Sequence, residues 1–99
     1  MKIKRNGSSI TLFAKGRIDT NAAPQFAAEM EEVLKDAEEL TLDFSGLEYI
    51  SSSGLRAVML AVKTMRRRGS MQIVNVREDI YSVLETTGFT GVCDVELKE

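Results

Sequence analysis

Three consecutive serines, Ser51, Ser52 and Ser53, followed by Gly54 and Arg56, stand in the stretch EYISSSGLRAVML. A serine hydroxyl becomes a nucleophile only when a base takes its proton. The chain contains no histidine, so only an unusual pairing of serine with lysine would remain, and an enzyme is not expected. Phosphate acceptance is the better match to these residues. Hydroxyls at the start of a helix lie where free N–H groups and the positive end of the macrodipole favour an anion. A phosphate on Ser52 would sit in that field, and Arg56, four residues on and on the same helical face, could pair with it.

Part of the stretch has a plainer explanation. Ser51 can act as an N-cap, accepting a hydrogen bond from the N–H of Ser53 or Gly54, a contribution of about 1 kcal/mol. Capping accounts for one serine and leaves two. Gly54 gives up roughly 1 kcal/mol of helix propensity relative to alanine, which implies that another surface approaches the backbone closely there. The surrounding charge is uneven. No acid lies between Glu48 and Glu78, where Arg56, Lys63, Arg66, Arg67, Arg68 and Arg77 are all basic, whereas Glu29 to Glu48 carries eight acids and one lysine. A solvated surface with attraction between neighbouring helices is the simplest account of that contrast. The run Arg66, Arg67, Arg68 complements the dipole at a helix end.

Elements must place these residues, and hydrophobic periodicity supplies them. MKIKR pairs as a hairpin with SITLFAKG across Asn6 and Gly7; in the latter, Ile10, Leu12 and Ala14 share one face. Phe26, Met30, Val33 and Leu34 mark a first helix, with Pro24 in its first turn and Thr20 or Asn21 able to cap it. ELTLDFSG reads as a buried strand ending in a turn at Ser45 and Gly46. Leu55, Val58, Met59, Val62 and Met65 form the stripe of a second helix ending at Gly69. SMQIVNV is a strand, Ile80, Val83 and Leu84 mark a third helix stopping at Gly88, and VCDVEL is the last strand.

This order predicts one α/β domain over residues 1–99, with a mixed, mainly parallel sheet of about five strands and about three helices. Sites in such sheets gather at the carboxyl ends of strands, and the serines follow LTLDFS there. A single cysteine, Cys93, cannot form an internal disulfide and is expected to pack beside a strand. No metal site or cofactor is expected from this residue set. A net charge of −2 gives no general footprint for nucleic acid, and the absence of a long apolar run argues against membrane insertion, so a cytoplasmic protein is expected.

The combination LDFSGLEYISSSGLRAV, with GRIDTNAAP before it and VLETTGF after it, resembles the STAS domain family over essentially the whole chain, in particular the bacterial anti-sigma factor antagonists. The resemblance implies a binding module that in its unphosphorylated form sequesters an anti-sigma factor, itself a serine kinase, and so frees a sigma factor. It implies phosphorylation at Ser52, with Ser51 and Ser53 as lesser candidates. Gly16, Arg17, Ile18 and Asp19 resemble the family turn before the first helix, so Asp19 is expected near the phosphosite. The expected partner surface comprises Asp19, Thr20, Ser51, Ser53, Gly54 and Arg56, on a chain that is monomeric when free. Many antagonists carry an aspartate immediately before the target serine, where this chain has Ser51. That difference supports the alternative of a constitutive STAS interaction subunit in a sensory scaffold or lipid-transport complex, without phosphorylation.

Overall fold

The structure, a computed structural model, describes residues 1–99. A hairpin of β1 (Lys2–Asn6) and β2 (Ser9–Ile18) turns at Gly7, whose φ of +65° suits the first central position of a tight hairpin turn. Then follow α1 (Ala23–Leu34), β3 (Glu39–Ile50), α2 (Ser52–Arg68), β4 (Ser70–Val76), α3 (Glu78–Thr86), a short 3₁₀ turn at Phe89–Gly91, and β5 (Asp94–Leu97). The five strands lie side by side in chain order, β1 antiparallel to β2 and the rest parallel. The expected fold class is therefore the observed one.

Because β2 to β5 follow one another in space as in sequence, every helical crossover steps the same way. The right-handed rule then places α1, α2 and α3 on one face of the sheet. Burial agrees with this placement. Ile10, Leu12, Leu40, Leu42, Phe44 and Ile73 are buried on that face, while Thr11, Phe13, Thr41 and Asp43 on the other are only half-buried.

Strand β3 does not stop at Ser45 and Gly46 as the sequence suggests. It continues to Ile50 and carries two extra residues relative to β2, between the pairs Phe13 with Asp43 and Lys15 with Gly46, and between Gly16 with Leu47 and Arg17 with Tyr49. These are β-bulges. At the first, the Asp43 carboxylate accepts a hydrogen bond from the Ser45 N–H at 2.9 Å, so the local turn chemistry is real but serves a bulge within the strand. The bulges lengthen the inward spacing from Leu40, Leu42, Phe44 to Leu47 and Ile50, and all five are buried. Strand β3 thereby reaches the start of α2.

Four smaller expectations change. Thr20 and Asn21 are exposed and cap nothing. Asp19 closes the entry to α1 through its Oδ1, which accepts from the Ala22 N–H at 2.9 Å, while its carbonyl accepts from the Ala23 N–H. The α2 stripe is rotated toward small residues: Gly54, Ala57, Val58, Ala61, Val62 and Met65 are buried, with Leu55 and Met59 half-buried. Val83 is 37% exposed, so α3 packs through Ile80 and Leu84. The last strand begins at Asp94; half-buried Cys93 precedes it and packs against the core, and partial burial together with the charge of Asp94 holds its thiol above the ordinary range. No helix is long and apolar enough to cross a membrane.

Candidate functional site

The site is built where β2 and β3 end together. Ile18 and Ile50 are register partners, and the Ser51 N–H donates to the Ile18 carbonyl at 2.7 Å. That bond holds the Asp19–Ala22 turn beside the first turn of α2. Two candidate regions some thirty residues apart in sequence are thereby brought together.

Each serine has a different setting. Ser51 is extended, 7% exposed, and is the N-cap, its Oγ accepting from the Gly54 N–H at 3.2 Å while its carbonyl accepts from the Leu55 N–H. Ser52 is exposed and Ser53 half-buried. As the first two helical residues they have no intrahelical acceptor for their N–H groups, and those groups find no other acceptor in the protein. The first turn contains no acid, so the helix end presents its positive pole without a neutralising side chain. Arg56 is exposed one turn beyond Ser52 and joins none of the ion pairs of the chain. Neither the Ser51 nor the Ser52 hydroxyl is hydrogen-bonded to a lysine or a carboxylate.

Gly54 is explained from inside the fold. A Cβ at this position would lie 2.7 Å from Ile50 Cγ1 and 2.9 Å from Ile18 Cγ2, closer than carbon atoms pack. The close approach inferred from the glycine is made by the strand ends beneath the helix. Gly54 and Ser51 are thus buried supports, whereas Thr20, Ser52 and Arg56 are exposed at the surface, with Asp19 and Ser53 half-buried between.

One feature of the surface carries no strong sequence signal. The Arg17 guanidinium lies 4.4 Å from the centre of the Tyr49 ring, and Tyr49 is 41% exposed. The second bulge of β3 makes these two residues register partners, beside the Asp19 turn. Only knowledge of the bulge would pair them from sequence.

Comparison with known proteins places the fold. The family model described as "Mlab, STAS domain" matches residues 1–97. BtrV of Bordetella bronchiseptica, assigned as an anti-sigma factor antagonist, is 32% identical over 83 residues, covering 82% of this chain and 72% of its own. The anti-sigma-B factor antagonist of Listeria monocytogenes is 25% identical over 95 residues, 94% of this chain and 83% of its own. Among solved structures, the Bacillus anti-sigma factor antagonist SpoIIAA shares the fold in two forms. The unphosphorylated form gives a TM-score of 0.76 at 14% identity over 99% of this chain and 87% of its own. The phosphorylated form gives 0.76 at 15% over 95% and 88%. With a match over nearly its whole length and a relative at this level of identity, the chain belongs to the STAS domain family.

Proposed function

We propose that this protein is an anti-sigma factor antagonist whose binding is switched by phosphorylation of Ser52. The observation that carries the reading is the placement of Ser52: exposed, at the first position of α2, above two free N–H groups, with no acid in the turn and Arg56 one turn along. Relatives that bear the name anti-sigma factor antagonist support the general role, and SpoIIAA exists in phosphorylated and unphosphorylated forms.

In the unphosphorylated state the first turn of α2 and the Asp19–Thr20 turn form a small surface of short side chains that an anti-sigma factor kinase can cover, releasing its sigma factor. Transfer of a phosphoryl group to Ser52 adds a charge of about −1.5 to −2 at that surface. The helix end tolerates the charge, because its N–H groups and dipole favour an anion, so the fold persists while the partner meets bulk and charge. Ser51 and Gly54 act by holding Ser52 in place. The test is incubation with the anti-sigma factor kinase encoded nearest this gene, with ATP and magnesium. One phosphate on Ser52 by mass spectrometry, absent from Ser52→Ala, supports the proposal. Unmodified serines under conditions where the kinase binds would reject it.

One observation favours the constitutive alternative: the cap position holds neutral Ser51, so no carboxylate adjoins Ser52. In that case the same surface docks a partner without ever being modified.

A further inference from the structure

The outward face of α2 continues beyond Ser52 and Arg56 with Leu60 and Lys63, which the switch does not use. Ser52, Arg56, Leu60 and Lys63 succeed one another at intervals of four, four and three, within roughly an 80° sector of the helix. Leu60 is 47% exposed in the middle of this line, and Arg56 and Lys63 flank it, both exposed. The acids of neighbouring α1 do not neutralise them. The four ion pairs of the chain join Met1 to Glu29, Arg5 to Asp36, Lys35 to Glu32 and Arg77 to Asp79. The expected attraction between an acidic and a basic helix is not realised as pairs with Arg56 or Lys63.

Helix electrostatics explain only the far end of this charge. Arg66, Arg67 and Arg68 lie in the last turn, where cations complement the dipole, and Arg68 also donates to the Lys35 carbonyl. Arg56 lies close to the positive end, where a cation is disfavoured, and Lys63 lies mid-helix. An acidic surface on a partner would complement both.

We infer that Arg56, Leu60 and Lys63 form a second contact zone, which receives an acidic patch of the partner protein with an apolar residue seated on Leu60. This rests on the proposed function, since it extends the partner's footprint from Ser52 along α2. The dimensions agree. A standard interface of about 800 Å² per partner reaches about 16 Å from its centre, and the rise from Ser52 to Lys63 is roughly 16 Å. The zone fixes the charge class of the partner; Arg56 is shared with the phosphate site, while Leu60 and Lys63 lie about two and three turns beyond Ser52.

Titration calorimetry and stopped-flow association with the same anti-sigma factor kinase test it. The wild type should associate more slowly as salt is raised from about 0.05 to 0.3 M. The double variant Arg56→Glu, Lys63→Glu should bind at least about tenfold more weakly with a flattened salt dependence, because rim charges act on association rate and its screening. Leu60→Ala should weaken binding by raising dissociation, and Lys63→Arg should retain it. Unchanged thermal melting shows that these exposed substitutions leave the fold intact. Ser52→Asp, which places a negative charge at the switch, should weaken binding; if it does so while the double variant binds within twofold of wild type, the second zone is rejected and the switch stands. If the wild type does not bind the kinase, both fail. Binding of the wild type to phosphatidylglycerol vesicles at the expense of the kinase, lost in the double variant, would assign the stripe to a membrane and overturn the inference.

Discussion

Gly54→Ala is the substitution whose outcome the geometry most constrains. At an exposed helical position this change would stabilise by about 1 kcal/mol. Here the new methyl would meet Ile50 Cγ1 at 2.7 Å and Ile18 Cγ2 at 2.9 Å. Those atoms belong to branched side chains 6% and 0% exposed, so neither can swing into solvent. Relief must come from lifting the first turn of α2. Overpacking of this kind costs about 1–3 kcal/mol, and lifting the turn stretches the Ser51 cap, already 3.2 Å long, at a further cost of up to about 1 kcal/mol. Set against the propensity gain of about 1 kcal/mol, the net destabilisation spans about 0–3 kcal/mol, with a central value of about 1.5 kcal/mol. For a domain of this size each kcal/mol lowers Tm by about 4–8 °C. Urea and thermal unfolding followed by circular dichroism should show a clear loss. A variant as stable as wild type, or stabler, would refute the claim that the glycine is required by Ile18 and Ile50. If such a variant also lost partner binding, the close approach would belong to the partner.

Ser51→Ala should cost about 1 kcal/mol, since it uncaps the Gly54 N–H in a buried setting, while Ser52→Ala should stay within about 0.5 kcal/mol. Equal effects in chemical denaturation would contradict their assigned roles. Replacing Arg66, Arg67 and Arg68 with Gln should lower stability by about 1 kcal/mol and leave partner binding within a few fold; complete loss of binding would move the interface to that end of α2. Asp43 gives a pH signature. Partial burial alone would raise its pKa, but hydrogen bonds from Ser45 and Asn75, with the charge of Lys98, outweigh this and leave it below its ordinary value of 3.8. A lowered folded-state value stabilises the protein above the unfolded value, and the contribution is lost as pH falls through the folded one. The stability difference between wild type and Asp43→Asn should therefore shrink below about pH 4, and a difference that stays constant into strong acid would exclude the mechanism.

Much of this architecture is legible in the chain because its elements announce themselves with large apolar residues. Ile10, Leu12, Phe26, Met30, Leu40 and Leu42 all lie where their spacing puts them. Departures occur where small or polar residues carry the geometry. Ala57 and Ala61 line the buried face of α2 beside Gly54, and a pattern that counts bulky side chains passes over them. Ser45 and Gly46 have the composition of a turn, yet the neighbouring ladder with β2 holds them in a bulged strand. The N-cap of α1, Ala22, makes no side-chain cap hydrogen bond; instead Asp19, at the end of β2 and already fixed by the strand, accepts from the Ala22 N–H in the turn before the helix, and Thr20 and Asn21 take no part. The serines are legible as a helix start, but their division into a buried cap, Ser51, and an exposed hydroxyl, Ser52, depends on the Ser51 bond to Ile18, which only the parallel pairing of β2 and β3 creates.

The switch is tested most directly by measuring the affinity of the anti-sigma factor kinase for the protein in two purified states, unphosphorylated and carrying a single phosphate on Ser52. Tight binding is expected in the first state and a loss of at least about tenfold, about 1.4 kcal/mol or more, in the second, with Tm unchanged or slightly raised because the phosphate lies at the positive end of α2. Equal affinity of the two states would contradict the switch, whatever the stability of the fold.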